Sequence, residues 1–166
     1  MKLIRPVVFL AVFVTLPVAA AAQAQSDIDA IKQLLQQYRS TQDAGDLIGQ
    51  GKLMTPDRVW INQAGVRRAD NVENMRVQQI EADFQKKRAP GMQTVTMDRD
   101  LLIKFYGDGK VAVASFYRTA VRFFPPGTPK DIMQEYAPGG ETGTLVLEKR
   151  DGAWKIVHTH WSGASS

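Results

Sequence analysis

The chain has 166 residues, a formal net charge of +4 and no cysteine. Its length predicts a single domain, and the absence of cysteine excludes disulfides, thiolate metal sites and a cysteine nucleophile. Hydrophobic residues make up 44% of the chain and charged residues 23%. This composition is ordinary for a folded protein and excludes a chain that is disordered throughout.

The first 24 residues have the pattern of a secretory signal peptide. Lys2 and Arg5 precede an apolar run over residues 7–18. The small residues of Ala22-Gln23-Ala24 predict cleavage after Ala24, with cleavage after Ala22 as the alternative. A membrane anchor is the other interpretation, but a bilayer span needs about 20 apolar residues and this run is shorter. A bacterial lipoprotein would need a cysteine, so we expect a soluble periplasmic or secreted protein.

Cleavage of the signal peptide would lower the net charge that the mature protein presents to a partner. Loss of residues 1–24 leaves 19 basic and 17 acidic residues, a net charge of +2 on a single domain over residues 25–166. The remaining basic clusters, Arg67-Arg68 and Lys86-Lys87-Arg88, are both short. Export and near-neutral charge together argue against a nucleic-acid partner. No membrane span is expected in the mature protein.

The first half of the mature chain is predicted to be mainly helical. Ser26 is the expected cap of a first helix, which has an apolar stripe at Ile28, Ile31, Leu35 and Tyr38. A short helix over residues 46–54 and a strand over residues 58–63 follow. Asp70 and Glu73 then open a third helix, for which the predicted apolar stripe is Val72, Met75, Ile80 and Phe84.

The second half is predicted to be a meander of strands. Strands are expected over residues 93–106, 110–124, 142–150 and 153–162, with hairpin turns at Gly107-Asp108-Gly109 and Asp151-Gly152. A long loop over Pro125–Gly140 either covers a pocket mouth, contacts a second subunit or forms a surface excursion. Helices before antiparallel strands predict an α+β fold with helices packed on one face of a curved sheet.

Two segments carry a resemblance to a known family. Residues 152–162 read G-x-W-x-I-V-H-x-H-x-S, which resembles the end of the nuclear-transport-factor-2-like fold. The pattern is closest to its SnoaL-like branch and to the association domain of calcium/calmodulin-dependent protein kinase II. Tyr38 followed by Ala44–Leu47 is similar to the first helix of ketosteroid isomerases. The resemblance covers about residues 27–163.

The resemblance implies a fold and a place for a site. The fold is a cone-shaped α+β barrel, in which a curved antiparallel sheet holds helices against its concave face around a pocket. Many members are dimers, which implies a homodimer through the convex face of the sheet. The resemblance places Tyr38 and Trp161 at this pocket, and Trp60, Asn62, Phe116 and Arg118 are expected to line it with them.

The catalytic residues of ketosteroid isomerases are only partly present. Tyr38 falls where those enzymes have an oxyanion tyrosine, although a helix core residue is the other interpretation. The position of the general base falls on Asn62, whose amide cannot abstract a proton. No acidic residue lies within residues 142–147, where a second acid is expected, and Glu141 is the nearest. Whether the chain is an enzyme is therefore left open.

The other candidate groups are an arginine and two histidines. In the kinase association domain, arginines bind carboxylates; their positions fall on Trp161, Leu145 and, more loosely, Arg118. Arg118 is either a buried anion ligand or an exposed residue paired across the sheet. His158 and His160 share a strand face, which is expected to be the convex one, with Val157 and Thr159 facing inward. They are weak metal candidates, because a zinc site usually needs three protein ligands, so neither a metal nor a cofactor is predicted.

Three hypotheses follow from these residues. The first is an exported SnoaL-like protein that binds a small, largely apolar ligand without identified catalytic chemistry. The second is a small isomerase, cyclase or dehydratase acting on a hydrophobic carbonyl compound, with Tyr38 as proton donor and Arg118 as anion stabiliser. The third is a homo-oligomerisation module.

Overall fold

The computed structural model describes residues 16–136 and 139–163, so Lys2, Arg5 and most of the predicted signal peptide lie outside the described residues. The helices are α1 (Leu16–Ala44), α2 (Leu47–Gly51), α3 (Asn71–Arg88) and α4 (Lys130–Glu135). The strands are β1 (Met54–Ile61), β2 (Arg67–Arg68), β3 (Gln93–Tyr106), β4 (Val111–Phe123), β5 (Gly139–Arg150) and β6 (Ala153–Gly163).

The six strands form one curved sheet in the order β2-β1-β6-β5-β4-β3. The predicted α+β class is confirmed, with the helices on one face of the sheet. The sheet has two edges, β2 and β3, so the cone-shaped barrel does not close. The curved sheet is antiparallel as expected except at one pair, because β1 and β6 run parallel. No hairpin joins these two strands, and the turn signals in the sequence carried no information about their direction.

Helix α1 starts earlier than predicted. It already includes Leu16, so Ser26 lies inside the helix and is not its cap. The alanine-rich segment before Ser26 explains this, since alanine has the highest helix propensity. The Asp27 carboxylate accepts hydrogen bonds from Trp154 Nε1 (3.0 Å) and Lys149 Nζ (2.6 Å), which joins α1 to the β5–β6 hairpin. Of the predicted stripe, Ile31, Leu35 and Tyr38 are buried in the core, whereas Ile28 is only half-buried.

Helix α3 begins as predicted but presents a different face. The Asp70 side chain accepts a hydrogen bond from the Glu73 backbone N–H (3.0 Å), which confirms the predicted cap. The predicted apolar stripe is wrong, because Val72, Ile80 and Phe84 are 71%, 57% and 57% exposed and only Met75 is buried. The buried side of α3 carries amides instead, chiefly Asn71 and Asn74.

The strand-rich half agrees closely with the sequence. Strand β3 has the predicted bounds, and β4, β5 and β6 differ from prediction by at most three residues at either end. Strand β1 starts four residues early, at Met54, and shortens the predicted second helix to α2. The predicted loop contains α4, and Tyr136 behind it is buried against Phe124, 6.4 Å between ring centres. Glu135 pairs with Arg88 at 2.7 Å, so this segment is tied to the end of α3.

Candidate functional site

A cavity of about 470 Å³ opens between α1, α3 and the concave side of the sheet. Three aromatic side chains line it: Tyr38 from α1, Trp60 from β1 and Trp161 from β6. Amides contribute much of the rest, including Gln42, Gln50 and Gln78, and the carboxylates are those of Glu81 and Glu141. The cavity is therefore aromatic on one side and rich in hydrogen-bonding groups on the other, more polar than the sequence predicts.

The aromatic wall is fixed by packing from behind. The Tyr38 and Trp161 ring centres are 6.4 Å apart, and the Phe116 ring meets Trp161 edge-on at 5.8 Å. Gly143 on β5 makes room for this pair, because a Cβ there would lie 2.5 Å from the Trp161 ring. Phe116, which the sequence places in the pocket, thus supports the wall and is not among the lining residues.

Arg118 also lies behind this wall, and its charge is already neutralised. Its guanidinium donates two hydrogen bonds to the Asp98 carboxylate (2.7 and 2.9 Å) and a third to Gln42 Oε1 (2.9 Å). It stacks 4.6 Å from the Trp161 ring centre and is 3% exposed. Each interpretation of Arg118 holds in part. The arginine is buried, as an anion ligand would be, and it is also paired across the sheet, because the anion it binds is Asp98 opposite it on β3.

A second buried arginine, Arg58 on β1, was missed by the sequence analysis. It is 1% exposed, and its one hydrogen bond runs from Nη1 to the Thr159 hydroxyl at 3.2 Å. Its Nε and Nη2 have no hydrogen-bond partner among the described residues. Burial lowers the pKa of Arg58, and the neighbouring Tyr38 hydroxyl opposes that shift. The available signal was its alternation with Trp60, which places both side chains on the concave face.

Asn62, which takes the position of the isomerase base, belongs to a turn. Its side-chain oxygen accepts hydrogen bonds from the backbone N–H groups of Ala64 (3.0 Å) and Val66 (2.9 Å). Asn62 lines the cavity, but its acceptor is occupied by the connection between β1 and β2. The residue shapes the cavity rim and holds no group suited to proton abstraction.

Glu141, at the start of β5, supplies a carboxylate to the cavity. Burial raises the pKa of Glu141 above its ordinary value, while Arg118, a hydrogen bond from Gln63 and Arg122 partly oppose the shift. A carboxylate with a raised pKa is better matched to proton transfer near neutral pH than an exposed one. Glu81, on the α3 side of the cavity, is exposed.

The amides next to the cavity divide into fixed and free groups. Gln50 is 1% exposed and donates a hydrogen bond from Nε2 to the Tyr38 carbonyl (2.9 Å), so it fixes α2 against α1. Gln42 is held by Arg118. Gln78 on α3 has no partner for its side-chain nitrogen among the described residues, which leaves a donor available beside the cavity.

The two histidines lie on the other side of the sheet. His158 is opposite Val59 and Val146, and His160 is opposite Ile61 and Thr144, on the convex face as expected. An irregularity in the β5–β6 pairing after Ile156 shifts the alternation, so Val157 is only half-buried whereas Thr159 is fully buried. Burial lowers the pKa of His158, and His160 and Arg58 add to the shift. Within residues 16–136 and 139–163 no cluster of three or more metal-ligating side chains occurs.

Two other concavities of similar volume run along α1, and their central charges are paired. One contains Arg39 and Asp98, which lie 3.6 Å apart. The other contains Asp27, which binds Trp154 and Lys149. No described residue of the segment 125–140 lines the aromatic cavity. Among the described helices, none is long and apolar enough to cross a membrane.

Comparison with known proteins places this geometry in a family. The family model of the SnoaL-like domain matches residues 23–160. No curated protein matches the sequence significantly.

Solved structures show the same fold at low sequence identity. An NTF2-like protein with a cystatin-like fold from Novosphingobium aromaticivorans is 15% identical, with 93% of each chain covered and a TM-score of 0.69. A protein from Xanthomonas campestris with a provisional assignment as a calcium/calmodulin-dependent protein kinase II association domain is 17% identical, covering 82% of this chain and 86% of its own, at a TM-score of 0.62. A Streptomyces avermitilis protein, provisionally assigned as a dehydratase of the NTF2-like family, is 12% identical, covering 86% and 99%, at 0.67.

Proposed function

This chain belongs to the family of SnoaL-like domains, and on that premise we propose that it is an exported protein that binds a small ligand in the aromatic cavity. The observation that carries the proposal is the convergence of Tyr38, Trp60 and Trp161 on one concavity. Its volume of about 470 Å³ lies within the range typical of small-molecule sites. We propose a flat, largely apolar ring system as the ligand, with polar substituents facing the amides.

A second candidate function uses the same cavity for proton transfer. Glu141 and Tyr38 both line it, and burial raises the pKa of Glu141. A carboxylate base and a phenolic donor facing one substrate are the groups needed to move a proton next to a carbonyl. The fold neighbour from Streptomyces avermitilis carries a provisional dehydratase assignment, which is compatible with such chemistry.

The convex face of the sheet supports a proposal of self-association. Val95, Met97, Leu102, Tyr117 and Phe123 are between 44% and 57% exposed there. Apolar residues grouped on one face of a sheet favour burial against a complementary surface. The fold neighbour from Xanthomonas campestris carries a provisional assignment as an association domain. We propose a homodimer formed through this face.

Export rests on the first 24 residues, whose charge and apolar pattern favour a signal peptide. Cleavage after Ala24 would leave Asp27 in place with its bonds to Trp154 and Lys149, and would remove only the contact from Gln23. The shortened α1 would thus keep its attachment to the β5–β6 hairpin.

Ligand binding predicts a selective response of the three tryptophans. Neutral aromatic amides and ketones, with cinnamamide as the first probe, should shift the indole N–H signals of Trp60 and Trp161 in a ¹H–¹⁵N spectrum. The Trp154 signal should stay, because its Nε1–H is held by Asp27. Trp60→Leu should weaken binding about fivefold to tenfold, the usual contribution of an aromatic pair. The matched control is Tyr106→Leu, a 53% exposed position. Uniform shifts at all three indoles, or none, would contradict the proposal.

Catalysis predicts a pH-dependent isomerisation of cyclohex-3-enone to cyclohex-2-enone, followed by ultraviolet absorbance. The rate should rise with pH as Glu141 ionises, with a midpoint above the ordinary glutamate value of 4.5, because burial raises its pKa. Glu141→Gln should abolish the rate, and Tyr38→Phe should lower it about 10²-fold or more. Glu148→Gln, on the same strand, is the control. A rate that survives Glu141→Gln would rule this function out.

The dimer predicts twice the chain mass of the cleaved protein in light scattering at micromolar concentration. Tyr117→Lys should convert it to a monomer, because a cation would be buried in the interface without a partner. Val72→Lys places the same charge at an exposed apolar site on α3, outside the sheet, and should leave the dimer intact. A monomeric unsubstituted protein would refute self-association through the sheet.

The export proposal predicts that the chain recovered from outside the cytoplasm begins at Gln25. Intact-mass analysis after expression of the full sequence reads this directly. Ala24→Arg should block processing at that bond, since the cleavage rule requires a small residue there. A recovered chain that retains residues 1–24 would show that the segment is not a cleaved signal.

A further inference from the structure

Arg58 is a buried cation to which the protein supplies no anion. All 17 Asp and Glu residues of the chain lie among the described residues. None forms an ion pair with Arg58, whose only hydrogen bond is the one from Nη1 to Thr159. Two of its donors, Nε and Nη2, are left without a partner in the described structure. A buried guanidinium in this state is costly, because neither water nor a counter-charge stabilises it.

Arg118 provides the contrast, because it is a buried arginine whose charge the protein does neutralise. At that position Asp98, Gln42 and three aromatic rings occupy the guanidinium completely. The same core leaves Arg58 open. Of the two buried arginines behind the aromatic wall, Arg118 has a carboxylate partner and Arg58 has none among the described residues.

The unpaired Arg58 lies behind the residues that line the cavity and is not itself one of them. Arg58 alternates with Trp60 on the concave face of β1, Tyr38 interacts with it from α1, and both aromatic residues line the cavity. Thr159, which binds Nη1, is opposite Trp60 on β6. Glu141 does not lie beside the Arg58 guanidinium. It is at the start of β5 and interacts with Gln63 near the rim of the cavity.

We propose that the ligand of the cavity carries a carboxylate, which enters beside Trp60 and pairs with the free Nε and Nη2 of Arg58. Nε and one terminal nitrogen form the edge with which a guanidinium binds a carboxylate through two parallel hydrogen bonds. Tyr38 also interacts with Arg58, and the unpartnered amide nitrogen of Gln78 offers a further donor at the cavity wall. The ligand class is an aromatic or unsaturated carboxylic acid. The inference rests on the proposed function, since it names the ligand of the same cavity.

The test compares two probes that differ only in charge, cinnamate and cinnamamide, by calorimetric titration of the full chain. We expect cinnamate to bind at least tenfold more tightly. Arg58→Met should reduce that preference to less than twofold while cinnamamide affinity stays within about twofold. The matched control, Arg99→Met, removes an exposed arginine from β3 and should keep the tenfold preference.

A thermal melt separates this role from a structural one. Because Arg58 is unpaired in the free protein, Arg58→Met should melt at the same temperature as the unsubstituted chain or higher. A decrease of more than about 5 °C would show that the guanidinium serves the fold and would overturn the proposal. Equal affinity for the two probes would also overturn it but leave the ligand-binding function standing. Failure of both probes to bind would contradict both.

Discussion

The bidentate pair between Arg118 and Asp98 is the interaction on which the cavity depends. It joins β4 to the edge strand β3, and through Gln42 it reaches α1. The same guanidinium supports the rings of Tyr38 and Trp161 from behind. A buried pair of this kind is worth little as a net source of stability, but loss of one partner typically costs about 3–5 kcal/mol. Its role is therefore to hold β3, β4 and, through Gln42, α1 together behind the cavity.

The two buried arginines show how the same side chain serves two purposes. Each nitrogen of the Arg118 guanidinium donates a hydrogen bond, and the guanidinium contacts three aromatic rings, so it behaves as part of the core. Arg58 has the opposite arrangement, with one hydroxyl partner and two empty donors. Proteins that lie only a few kcal/mol above unfolding rarely keep such a group without a use for it. The residue that weakens the core is thus the one best suited to bind an external anion.

Local signals account for what the sequence predicts correctly. The β3–β4 and β5–β6 hairpins follow from Asp-Gly turns, whose residues adopt the positive φ angles such turns require. The Asp70 cap of α3 follows from spacing alone. The pairing of Arg118 with Asp98 was missed because it depends on the register of two long strands, with an irregularity between Arg99 and Leu102. Sequence alternation fixes which face a residue takes, but not which residue lies opposite it.

The error at α3 is informative in the same way. Its apolar spacing predicted a buried stripe of Val72, Met75, Ile80 and Phe84, yet all but Met75 are exposed and the helix buries Asn71 and Asn74 instead. Burial of amides is unfavourable unless each finds a hydrogen bond, and Gln78 keeps an unpartnered nitrogen beside the cavity. The unpartnered nitrogens of Gln78 on α3 and of Arg58 on β1 therefore lie on two sides of the same cavity. Both leave donor groups free, so the interior is complementary to a ligand that brings acceptors.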